Sequence, residues 1–141
     1  MKKIITFNLK FSQKDKRYIK TMIFCDKETM YKFYQEQLKI TDQKGKNDFE
    51  AMFQPYEMLL ILKDKEKKLN KIGNLLLYKD RLGSGLITHE CGHATFHYWR
   101  LNHVSPLVKK GQEEDFLYIL GFIVADFWRN YFKNEKLINN L

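Results

Sequence analysis

The string His89-Glu90-Cys91-Gly92-His93 constrains this chain more than any other stretch. On a helix, its two histidines stand one turn apart on the same face. Two imidazoles at that spacing can share one zinc ion, with Glu90 alongside to hold and deprotonate water. With four His and nine Glu in 141 residues, chance placement would produce the string in under about 1% of such chains. The string is necessary for a metal site of this kind but not sufficient, since His89 and His93 could instead pack in a two-helix core with no metal bound.

At 141 residues and 44% hydrophobic content, a single domain over 1–141 with one real core is expected. The start of the chain, MKKIITFNLKF, has too short an apolar stretch and no small-residue cleavage site for a secretory leader. The longest apolar run, 116–125, is far short of the roughly 20 residues that a bilayer span needs, so no membrane association is expected. Two cysteines, Cys25 and Cys91, make no disulfide framework and fit a reducing, cytoplasmic setting. The net charge of +8 suits an acidic protein or nucleic-acid partner. Yet lysine dominates the basic side and is spread through turns and strand edges, where it serves solubility and blocks edge pairing.

Periodicity supplies a coarse map. Alternation over 4–11 and the stretch 18–25 read as two strands joined by a short turn. Asp26 can cap a helix running to about Leu38, with Met30, Phe33, Tyr34 and Leu38 as its apolar stripe. A polar loop over 41–48 follows. Strands are expected over 49–53 and 58–63, interrupted by Gln54-Pro55, with a hairpin turn over 64–68. The stretch 71–80, with Leu75, Leu76 and Leu77 in a row, predicts a buried strand. Ser84 offers a cap for the motif helix over about 85–101. After a loop containing Pro106, a last helix is expected over about 112–132. The fold class is α+β: a mainly antiparallel sheet packed on the motif helix and on a following C-terminal helix. The strand ending near Tyr78 is the expected cleft edge, where an extended peptide would add as a further strand.

Catalytic zinc sites use three protein ligands and a water, so a third ligand has to come from elsewhere. His97 continues the ladder on the same helix, but three successive turns do not easily reach one ion. His103 lies just past the helix; Glu113 and Glu114 open the next one. Glu114 is favoured because its helix face includes Gly121 and Ala125, which let a neighbouring helix approach closely, and the motif helix supplies Gly92 and Ala94 in return. Glu113 points about 100° away, toward Phe116, Leu120 and Phe127. Acids in a first helical turn also complement the helix dipole without touching a metal. Tyr118, one turn past Glu114, can steady that ligand or hydrogen-bond an oxyanion, although a tyrosine so placed is more often plain core with a satisfied hydroxyl.

The stretch Thr88-His89-Glu90-Cys91-Gly92-His93, followed by Glu113-Glu114 on an apolar helix, resembles the gluzincin-type zincin metallopeptidases. In particular it is similar to the small IrrE/ImmA-like metallopeptidases of bacteria and mobile elements, which share a glycine at the position of Gly92. The resemblance covers roughly 70–128, departs from the family at Cys91 and at Asp115-Phe116, and implies a zincin-like fold. Its implied chemistry is hydrolysis of a peptide bond in a protein or peptide substrate, with zinc held by His89, His93 and Glu114 and with Glu90 as the base. SprT-like proteases, which act on DNA-bound proteins, are a second resemblance through the motif and the basic charge, and would promote His103 to third ligand.

Two other chemistries compete. Cys91 paired with His89 or His93 would be a thiol nucleophile, although a structural thiol is the simpler role. Alternatively, a zincin-fold binding or inhibitor protein, of phage or mobile-element type, would act on a host factor or a nucleic-acid complex without proteolysis. Neither substrate nor oligomeric state is legible in the residues.

Overall fold

Alternating apolar and polar residues in β1 (Ile4–Lys10) and β2 (Tyr18–Phe24) pair as an antiparallel hairpin, with Ile4 opposite Phe24 and Lys10 opposite Tyr18. The connection is closed by short polar side chains: Ser12 Oγ accepts from the Asp15 amide at 3.0 Å, and Asp15 Oδ1 accepts from the Arg17 amide at 2.9 Å. The computed structural model describes residues 3–38, 49–55, 70–105 and 107–141. As expected, Asp26 caps the next helix, α1 (Lys27–Leu38), its Oδ1 accepting from the Thr29 amide at 2.7 Å. The chain re-enters as β3 (Met52–Pro55), then β4 (Lys71–Tyr78), α2 (Ser84–Asn102) and α3 (Glu113–Asn139). The expected strand over 58–63, the turns over 41–48 and 64–68, and Pro106 lie outside the described residues.

The four strands form one sheet in the order β1-β2-β4-β3. Its outer pairs, β1–β2 and β3–β4, are antiparallel, while the central pair β2–β4 is parallel. The sheet is thus mixed, where a mainly antiparallel one was expected, because β3 runs opposite to β2 and β4 reverses direction again beside β3, which aligns β4 with β2. Being central, β4 is covered on both faces, which explains its unbroken leucine run. Leu75 and Leu77 join Ile5, Leu9, Ile19 and Ile23 against α2 and α3, while Leu76 and Tyr78 join Met22, Phe24 and Met30 on the α1 side. The main core therefore lies between the sheet and the two C-terminal helices. α2 packs beside β3 and β4, and α3 beside β1 and α2.

Three boundaries differ from expectation: β3 covers Met52–Pro55 rather than 49–53, running through Gln54-Pro55, and two helix ends differ for local reasons. Gly83, not Ser84, occupies the N-cap of α2, since its carbonyl already accepts from the Ile87 amide at 3.1 Å. α3 continues past Phe132 to Asn139 because Ile138 extends the buried stripe of Phe116, Ile123 and Phe127 beyond a polar stretch. No helix among the described residues is long and apolar enough to cross a membrane.

Candidate metal centre

The core face of α2 is built from Ile87, Cys91, Ala94, Thr95 and Trp99, all buried. At 100° per residue, that placement turns His89 and His93 outward together and sets Glu90 on the flank that faces the sheet. His89 is about two-thirds exposed and its ring stands edge-on to that of His93. Their Nε2 atoms lie 3.2 Å apart. Glu90 is buried; its Oε1 is 4.0 Å from His89 Nε2, while its Oε2 accepts from the Phe53 backbone N–H at 2.9 Å. A backbone amide of β3 thus fixes the carboxylate beside the two imidazoles. The three side chains hold donor atoms within 4.8 Å of one another.

β3 comes this close because of Gly73. A Cβ at Gly73 would lie 2.6 Å from the Phe53 ring and 2.7 Å from the Gln54 carbonyl oxygen, so only glycine lets the ring settle on β4. Phe53 then reaches His97, ring centroids 5.7 Å apart. β4 is interior, so the edge expected at Tyr78 belongs to β3 instead, the last strand of the sheet among the described residues. Under that edge opens a cleft of about 310 Å³ lined by Ala51, Met52, Phe53, Pro55, Glu90, His93 and Arg100. Phe53 acts through its main chain and leaves no signal in the sequence. Arg100 does leave one, standing seven residues after His93 on the same helix face.

The histidine pair is spaced as two ligands of one zinc would be. Two nitrogens each about 2.0–2.1 Å from a tetrahedral zinc lie about 3.3 Å apart, close to the observed Nε2 separation. Glu113, Glu114 and His103 stand outside the His89, Glu90, His93 group. Both glutamates are exposed in the first turn of α3. That turn packs beside the site's own helix, Phe116 meeting Phe96 at 4.6 Å and Trp99 at 5.7 Å between ring centroids. His103 stacks on Trp99 at 3.8 Å and donates from Nδ1 to the Trp99 carbonyl at 3.0 Å, which occupies one ring nitrogen in closing the end of α2. Tyr118 is about three-quarters exposed and is not brought to the histidines by any described contact.

The thiol alternative meets an electrostatic obstacle. Cys91 is fully buried on the core face, and burial, seconded by the charge of Glu90, pushes its thiol up to about 12. A thiolate is not available there near neutral pH. Further along, the end of α2 is tied to the first hairpin. Arg17 and the Tyr98 hydroxyl both donate to Asp15, at 2.6 Å each, and Arg17 also donates to Asn102 at 2.7 Å. The Arg17 hydrogen bonds hold the Asp15 carboxyl well below the usual carboxylate range. No family model, no curated protein and no solved structure matches this chain.

Proposed function

We propose that the chain is a zinc-dependent metallopeptidase of the gluzincin type, similar to the small IrrE/ImmA-like enzymes. The observation that carries this is the meeting of His89 and His93 Nε2 at 3.2 Å beside a buried carboxylate. His89 and His93 would hold the metal, and Glu114, in the turn of α3 that packs against α2, is the proposed third ligand. When bound, zinc supplies Lewis acidity, lowering the pKa of water toward about 7 and polarising a carbonyl. The chain's own part is positional. Phe53 N–H holds Glu90 Oε2, leaving Oε1 to accept a proton from the attacking water and return it to the leaving amine. Tyr118 is the hydroxyl proposed to steady the oxyanion.

Elemental analysis of purified protein tests the site directly. Wild type should carry about one zinc per chain, His93→Ala should lose it, and one variant among Glu114→Ala, Glu113→Ala and His103→Ala should lose it selectively. Zinc-free wild type after reconstitution would sink the proposal. The net charge of +8 favours a second reading, a zincin-fold protein that binds an acidic protein or nucleic acid without cutting it. Glu90→Gln separates the two, abolishing turnover in a peptidase and leaving a binder's function intact.

A further inference from the structure

The chain contains four arginines, Arg17, Arg81, Arg100 and Arg129. Three are held by carboxylates: Arg17 by Asp15 at 2.6 Å, Arg81 by Glu50 at 3.4 Å and Arg129 by Asp126 at 3.8 Å. Arg100 has no hydrogen bond or ion pair among the described residues, and it is the arginine that lines the cleft with His93 and Glu90. We propose that Arg100 recognises a carboxylate of the bound peptide, making the cleft selective for acidic substrates.

Geometry sets where that carboxylate lies. Arg100 follows His93 by seven residues, two helical turns, on the same face, which places it about 10 Å further along α2. An extended peptide advances roughly 3.3 Å per residue, so the carboxylate belongs about three residues from the bond presented to the histidines. Placing it relative to a scissile bond rests on the hydrolase reading above. The guanidinium is a planar fork that pairs with carboxylates through two parallel hydrogen bonds. The acidic side chain in the cleft, Glu90, already has one oxygen on the Phe53 amide, and the remaining lining from β3 and its approach is Ala51, Met52, Phe53 and Pro55. A net charge of +8 acts in the same direction, drawing acidic ligands in from a distance. Arg100 also lies in the last turn of α2, where the helix dipole favours a cation. That accounts for a cation there with no partner among the described residues, but not for its place in the cleft.

A peptide can run along β3 in either direction, so the acidic group lies on the N-terminal or the C-terminal side of the scissile bond, and on the C-terminal side a free chain end is a second source of the same group.

The test uses zinc-reconstituted full-length protein and a neutral peptide with an amidated end. A single Glu is moved along this peptide, and one further version has a free terminal carboxylate. Cleavage (kcat/KM) and binding by fluorescence anisotropy are measured for wild type, Arg100→Gln and Arg100→Glu, with zinc content and circular dichroism as controls on folding. Wild type should favour one Glu position, or the free acid, by roughly 10- to 100-fold over the neutral peptide. In Arg100→Gln that ratio should fall to about one, and Arg100→Glu should favour Lys at the same position. A preference that survives in Arg100→Gln, or cleavage with no preference in wild type, overturns the proposal and leaves the hydrolase reading standing. Acid-selective binding that depends on Arg100, without cleavage of any peptide, supports carboxylate recognition and overturns the hydrolase reading. Neither cleavage nor Arg100-dependent binding overturns both.

Discussion

In the proposed mechanism Glu90 would combine two demands that usually conflict, since a buried carboxylate needs a partner and a proton acceptor needs a free oxygen. Here the Phe53 amide takes Oε2 at 2.9 Å and leaves Oε1 on the His89 side. Replacing Glu90 by Gln keeps an acceptor for that amide, whereas Ala strands the N–H. We expect Glu90→Gln to melt close to wild type while losing about 10²- to 10⁴-fold in turnover, and Glu90→Ala to cost about 1–3 kcal/mol by urea denaturation as well. Equal stabilities for the two variants would mean that the amide contact contributes nothing. Asp15 behaves differently because its carboxylate is structural. Its Arg17 and Tyr98 partners favour the charged form and lower its pKa in the folded chain. A depressed folded-state pKa contributes stability above the unfolded value, near 4, and loses it as pH falls through the folded value. Stability of wild type should therefore drop below about pH 4, and Asp15→Asn should flatten part of that fall while lowering stability at pH 7 by about 1.5–3 kcal/mol. An unchanged acid limb in Asp15→Asn would count against the assignment.

Among the elements, β3 is the one on which the site depends most and the one least apparent beforehand. Only four residues long, it is pinned on β4 by the register Phe53 opposite Leu75 and Pro55 opposite Gly73, and on α2 by the bond to Glu90. Gly73→Ala would drive a methyl into the Phe53 ring and the Gln54 carbonyl. Backbone cannot yield as a flexible side chain would, so β3 should shift outward, at a cost of about 1–3 kcal/mol. The Glu90 contact should weaken with it, and metal-dependent cleavage should fall more than zinc content does. If Gly73→Ala melts like wild type and retains activity, β3 does not position the base. The motif helix was readable because its spacing is local: His89, Glu90 and His93 need only α-helical geometry to point where they do. The role of Phe53 was not readable, because a main-chain amide has no residue identity and its partner lies 37 positions away. Pro55, which suggested an interruption, ends an edge strand where a missing N–H is tolerated.

Over the whole molecule, α2 is fastened at both flanks. The sheet and α3 cover its core face, and the Asp15–Arg17–Tyr98–Asn102 cluster ties its last turns to the first hairpin. The two histidines are thus presented on a braced helix, and a metal joining them would stabilise the folded state by mass action. Zinc at about 100 times its dissociation constant adds about 2.7 kcal/mol, which for a domain of this size raises Tm by about 5–10 °C. That shift should appear in a thermal melt of wild type, vanish in His93→Ala and reverse on adding a chelator; its absence in wild type would mean that the pair does not bind zinc. By itself the sequence determined the α+β class, the capped α1, a buried strand at β4 and a helix with two histidines on one face, because each rests on side-chain periodicity or capping within a few residues. Tertiary structure alone decided that β2 and β4 run parallel, that β3 and not β4 is the edge, that Glu90 is held by a backbone amide and that Arg100 shares the cleft with His93. Those features depend on which distant segments pack together, and the closeness that Gly73 allows is visible only once Phe53 lies on it.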